Sequence, residues 1–200
     1  DYSGKLFMHP KLYGKDSERK KLFWLFENCV SGARELLFVY GHSGCGKTSL
    51  ISELGKTVTD YKGFFVSGKF EPFQQDTPYS AFIQAFNELI NYLLKQDSYL
   101  LGRWHEIILE QVGSLGKVLT DLFPEIEALI GRQPDLPRLK GPELQNRFNY
   151  TLGNFIKAIA SEEHPLVIFI DDLQWADASS LNLFDLIISD KEAKYILLIG

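Results

Sequence analysis

Gly41-His42-Ser43-Gly44-Cys45-Gly46-Lys47-Thr48 is the stretch from which the rest of the chain is read. Its spacing, G-x-x-x-x-G-K-[ST], is that of a phosphate-binding P-loop, or Walker A motif. The glycines let the backbone take left-handed turns and lie close to a polyphosphate. Successive N–H groups of residues 44–48 then form an anion-binding concavity. A helix is predicted to start at about Lys47, adding the partial positive charge of its N-terminus. Lys47 is the residue to reach the β- and γ-phosphates and carries a catalytic role, and the Thr48 hydroxyl is a Mg²⁺ ligand. Gly41, Ser43, Gly44, Cys45, Gly46 and Ser49 complete the nucleotide-binding set around them.

The flanks agree with this reading. Leu36-Leu37-Phe38-Val39-Tyr40 is an apolar run that predicts a buried strand, and Leu50, Ile51, Leu54 and Val58 follow at helical spacing. Strand, glycine loop and helix is the context the motif requires. The 200 residues suit one large domain with a full core. A net charge of -5 argues against a nucleic-acid footprint. No apolar run has the length of a membrane span, and no signal-peptide pattern opens the chain. Cys29 and Cys45 are far apart, which argues against a disulfide framework and for a reducing, cytoplasmic setting. The four histidines show no metal-ligand spacing with them.

Upstream of the loop, Leu22, Leu25 and Phe26 predict a helix that Asp16 or Ser17 can cap. Downstream, Phe64-Phe65-Val66-Ser67 predicts a second strand, ended by Gly68-Lys69-Phe70. The next strand begins only at Leu166, a gap about three times that of a plain βαβ crossover. The excess reads as a helical insertion over about 77–161. Thr77-Pro78 predicts a helix start with Thr as N-cap, and Phe82, Ile83, Phe86, Leu89, Ile90, Leu93 and Leu94 keep its face apolar. Ser98 is placed to cap the next helix, whose pattern continues through Leu115, Val118, Leu119 and Leu122 until Pro124 breaks it. Residues 131–142 read as a loop, before a last helix with Leu144, Phe148, Leu152, Phe155, Ile156 and Ile159.

Leu166-Val167-Ile168-Phe169-Ile170-Asp171-Asp172 is the second chemical landmark. Five apolar residues in a row suit a parallel strand covered on both faces. Two carboxylates stand at its C-terminal end, where open α/β sheets bind ligands. This is the Walker B form: Asp171 is the expected holder of Mg²⁺, directly or through water, and Asp172 is expected to orient or deprotonate the attacking water. Asp172 as a simple turn cap is the alternative. Asp177 fits equally a site role or the cap of the helix carrying Leu181, Phe184, Ile187 and Ile188. Tyr195-Ile196-Leu197-Leu198-Ile199 is the final predicted strand.

Together the pieces resemble the STAND class of P-loop ATPases within the wider AAA-like group. The likeness is to the ATPase segment of large multi-domain signalling kinases, where it lies between a Ser/Thr kinase domain and sensor or histidine-kinase domains. It rests on Leu12-Tyr13-Gly14-Lys15-Asp16-Ser17-Glu18, the P-loop, Gly68-Lys69-Phe70, Arg147-Phe148 and residues 165–177 with Asp-Asp-Leu-Gln-Trp-Ala-Asp. The first block usually reads Gly-Arg; here it is Gly14-Lys15, and Lys lacks the planar fork of Arg. The resemblance implies an α/β, ASCE-type three-layer sandwich with a mainly parallel sheet in the order 5-1-4-3-2. It also implies an adenine pocket near Tyr13 and Gly14. ATP and Mg²⁺ are the expected ligands, and other domains of the same chain and a nucleotide-dependent oligomer the expected partners. It places a sensor residue, a fifth strand and a lid beyond Gly200, so one AAA-like domain over 1–200, partial at its C-terminus, is the expectation.

Three functions compete on these residues. A regulatory ATPase is favoured by the carboxylate pair. A phosphotransferase would need an arginine-bearing lid, and Arg132, Arg138 and Arg147 are spread over loop and helix. A nucleotide-holding platform without turnover is disfavoured by an intact Asp172. A DNA-loading ATPase shares some motifs, but the acidic balance lowers it.

Overall fold

The computed structural model describes residues 16–42, 46–72 and 77–200. At its centre is β3 (Leu166–Asp171), the apolar run before the two carboxylates. Its side chains alternate between two cores. Val167 and Phe169 join Leu197 and Ile199 of β4 (Ile196–Ile199) on one face, while Leu166, Ile168 and Ile170 join Ile196 and Leu198 on the other. A strand buried on both faces has no place for a polar side chain, which is why the run is unbroken. The sheet is parallel throughout, with order β1-β4-β3-β2, where β1 is Arg34–Leu37 and β2 is Phe64–Lys69. The fold is therefore α/β with helices on both faces of a parallel sheet, and the four strands stand in the implied order.

One face is covered by α1 (Asp16–Val30) and α2 (Lys47–Asp60), which bury Leu22, Leu25, Phe26 and Cys29, and Leu50, Ile51, Leu54 and Val58. Each of the aliphatic and phenylalanine side chains among them contributes about 1.5–3 kcal/mol on burial. The larger core on the other face is filled from the insertion between β2 and β3. That insertion comprises α3 (Ser80–Leu93), α4 (Ser98–Val112), α5 (Gly116–Leu122), α6 (Glu127–Ile130) and α7 (Gly141–Ile159). Helix α8 (Ala178–Ser189) completes the layer. Phe86 of α3 meets Phe155 of α7 edge-on at 5.4 Å between ring centroids. The backbone of α3 also comes close to β2: a Cβ at Gly68 would collide with the Ala81 carbonyl.

Several element ends differ from expectation for identifiable reasons. β1 spans Arg34–Leu37, so Phe38, Val39 and Tyr40 follow the strand and enter the cleft described below. Thr77 does not cap α3. That position is taken by Tyr79 at φ 62°, whose N–H donates to Asp177 Oδ2 (3.3 Å) and whose hydroxyl donates to Asn149 Oδ1 (2.7 Å). The cap of α4 is Asp97, accepting from the Leu100 N–H (3.0 Å), and Ser98 is the first helical residue. The following pattern is not one helix: Gly113, at φ 56°, separates α4 from α5. Pro142 belongs to the first turn of α7 rather than to the loop, in keeping with its tolerance at that position. β2 runs on through Gly68 and Lys69, and that extension shapes the site.

Candidate functional site

The C-terminal ends of the strands open into a cleft of about 890 Å³. Residues far apart in sequence share it: Gly41, Gly46, Lys47, Thr48 and Ser49 from the loop and α2, Lys69 from β2, and Asp171 and Asp172 from β3. Tyr13, Gly14, Ser43, Gly44 and Cys45 lie outside the described residues.

On the loop side, α2 begins at Lys47, as the spacing predicts. Gly46 precedes it at φ 84°, a left-handed conformation in which glycine carries no Cβ penalty. Gly46 has no side chain with which to cap the helix, so its first-turn N–H groups are left for a ligand. The Lys47 ammonium donates to the carbonyls of Gly41 (2.7 Å) and His42 (3.3 Å). Thr48 and Ser49 are exposed at the helix start.

On the strand side, Asp171 ends β3 and accepts the Asp172 N–H at Oδ1 (2.9 Å). Asp172 follows at φ 57° and ψ 44°, a left-handed position that Asp tolerates better than most residues. Both of its carboxylate oxygens are engaged. Oδ1 accepts from Gln174 Nε2 (2.9 Å), and Oδ2 pairs with the Lys69 ammonium (3.1 Å). The Gln174 hydrogen bond and, after it, the Lys69 contact hold the carboxyl below its ordinary range against a desolvation that raises it. The same hydrogen bond to Asp172 raises Lys69 above the ordinary lysine value. A carboxylate so stabilised is a poor proton acceptor at neutral pH and is better suited to orienting a water.

Asp177 is the N-cap of α8, its Oδ1 accepting from the Ser180 N–H (2.9 Å), and its Oδ2 accepts from the Ser180 hydroxyl (2.6 Å) as well as from the Tyr79 N–H. It thus ties the segment after β3 to the start of α3. Arg147 donates to the Pro137 carbonyl (2.7 Å), and none of Arg132, Arg138 and Arg147 lines the cleft. Lys69 is the residue that reading the sequence missed as a site member. Its only signal was its place in Gly68-Lys69-Phe70, at the end of a strand whose C-terminus faces the cleft.

The donors present fit Mg²⁺. A hydroxyl at Thr48 and a carboxylate at Asp171 are hard oxygen ligands. Among the described residues no group of three or more His, Cys, Asp or Glu could hold a metal by itself. Mg²⁺ keeps several waters and takes further ligands from substrate phosphates, so one or two protein oxygens are enough to hold it. No helix among the described residues is long and apolar enough to cross a membrane.

Comparison with known proteins gives the same frame. Residues 11–199 match the family described as AAA ATPase domain. The chain is similar to hybrid signal transduction histidine kinase G of Dictyostelium discoideum, 33% identical over 187 residues. It is also similar to histidine protein kinase 1 of Candida albicans, 26% identical over 175 residues. The matches cover 94% and 80% of this chain but only 5% and 7% of those proteins.

Proposed function

The chain belongs to the AAA ATPase domain family, and from that premise we propose that it binds Mg·ATP and hydrolyses it as a regulatory module of a signal-transduction protein. The observation that carries the reading is the convergence of Lys47, Thr48, Asp171 and Asp172 on one cleft, although about 120 residues separate the two pairs. In this proposal the loop N–H groups and Lys47 hold the phosphates, and Thr48 and Asp171 hold Mg²⁺. Asp172 orients the attacking water. The ion, when bound, neutralises charge on the phosphate oxygens. In the same proposal the 200 residues belong to one AAA-like domain, partial at its C-terminus, and its partners are kinase or sensor domains, as the kinase names of both relatives suggest.

A second reading, a nucleotide-holding platform without turnover, has one observation behind it: both Asp172 oxygens are occupied. Separating the carboxylates decides between the two. Asp171→Asn should weaken Mg²⁺-dependent ATP binding. Asp172→Asn should leave binding largely intact and slow phosphate release by about 10²–10⁴-fold, because the attacking water is no longer positioned. Unchanged turnover in Asp172→Asn would remove the role assigned to it. Tight ATP binding with no turnover in the wild type would select the platform.

A further inference from the structure

Among the described residues of this cleft, Lys69 is the cation that no phosphate-binding motif claims. Its position is built rather than incidental. The parallel register sets it beside Asp171, and its N–H donates to Gln84 Oε1 of α3 at 2.9 Å. Gly68, before it, admits the α3 backbone where a side chain would not fit. The backbone under Lys69 is therefore gripped by two elements, while its side chain remains about half exposed (53%). Its ammonium rests on Asp172 Oδ2, the carboxylate the proposed hydrolysis needs unencumbered.

We propose that Lys69 is the residue of the cleft that tells a nucleoside triphosphate from a diphosphate: its ammonium leaves Asp172 for the terminal phosphate when one is present, and stays on Asp172 when it is not. The inference rests on the nucleotide reading above. Its physical basis is competition. An ion pair this exposed is weak, whereas a terminal phosphate offers more negative charge and three acceptor oxygens in a charge-assisted contact. Lys47 cannot discriminate in this way, because its ammonium serves the loop and both outer phosphates. Transfer of the Lys69 ammonium also frees one oxygen of Asp172 to orient water, so a triphosphate would uncover its own hydrolytic group. With Gln84 holding the Lys69 backbone, α3 is the first element of the insertion to feel the exchange.

The test is binding rather than turnover. Affinities for Mg·ATPγS and Mg·ADP are measured by displacement of a fluorescent ADP analogue, in wild type, Lys69→Met and Lys69→Arg. Loss of one charge-assisted contact predicts a fall of roughly tenfold in the triphosphate-to-diphosphate preference of Lys69→Met. Diphosphate affinity should stay unchanged, and Lys69→Arg should restore most of the preference. Asp172→Asn releases the competitor and should raise the preference, and should do so less in the Lys69→Met background, a coupling that a merely structural lysine would not produce. A preference unchanged in Lys69→Met, or equal effects of Asp172→Asn in both backgrounds, would overturn the inference while leaving nucleotide binding intact. Failure of the wild type to bind either nucleotide would instead overturn the proposed function on which it rests.

Discussion

Lys47 and Lys69 reach the same cleft on different foundations. Lys47 opens α2, which is seated on the smaller core through Leu50, Ile51, Leu54 and Val58. Its ammonium is satisfied within its own loop, on the Gly41 and His42 carbonyls. Lys69 closes β2, whose Phe64 and Val66 belong to the larger core, and its ammonium is satisfied across the chain by Asp172. The difference is one of range. One cation is placed by the start of its own helix and by the carbonyls of Gly41 and His42 a few residues before it. The other is placed by a strand pairing and by a helix of the insertion. Perturbations of the two cores should therefore reach the site differently.

The largest expected effects come from emptying each core. Phe86→Ala removes a ring packed against Phe155 and Phe123 and should cost about 3–5 kcal/mol of stability. Leu54→Ala, fully buried under α2, should cost about 2–5 kcal/mol. The comparison sharpens below the melting transition, where only folded protein is titrated. There Leu54→Ala should also weaken Mg·ADP binding, because it loosens the helix that presents Lys47 and Thr48, whereas Phe86→Ala, which acts on the Lys69 side through α3, should leave Mg·ADP binding intact. Thermal unfolding with a nucleotide titration of each variant checks both parts, and equal binding losses would erase the distinction.

A smaller contrast lies in alkali. Burial pushes the Cys29 thiol, in the Lys47-side core, up from 9.0 to about 12. Burial pushes the Tyr79 phenol, in the other core, up from 10.0 to about 12. In both cases the unfolded chain releases its proton first, so stability is complete below the unfolded value and declines as pH rises toward the folded one. Each group then lowers stability by about 1.4 kcal/mol per pH unit. The decline should begin near pH 9 from Cys29 and steepen near pH 10 as Tyr79 joins. Denaturant melts from pH 8 to 11 of wild type, Cys29→Ala and Tyr79→Phe check this. Only the early slope should vanish in the first variant and only the later increment in the second.

The same contrast of range governs what could be read from the residues alone. The loop, the start of α2 at Lys47 and the β3 run with its two aspartates are local patterns, and the α/β class and strand order follow from them with the family likeness. Thr77 does not cap α3 because Tyr79 takes a left-handed start with its N–H on Asp177, which lies 98 residues away. Gly113 breaks a helix that the apolar spacing on either side of it carries straight through. Lys69 escaped as a site residue because its partner is set by the register Lys69↔Asp171, which no local periodicity encodes.

The central claim is that the cleft is a Mg·ATP site in which Lys47 holds the phosphates. Its most direct test is equilibrium titration of wild type and Lys47→Ala with a fluorescent ATP analogue in the presence of Mg²⁺. Removal of a charge-assisted contact worth about 1.5–3 kcal/mol predicts an affinity lower by roughly one to two orders of magnitude in the variant. Equal affinities in the two proteins would contradict the account.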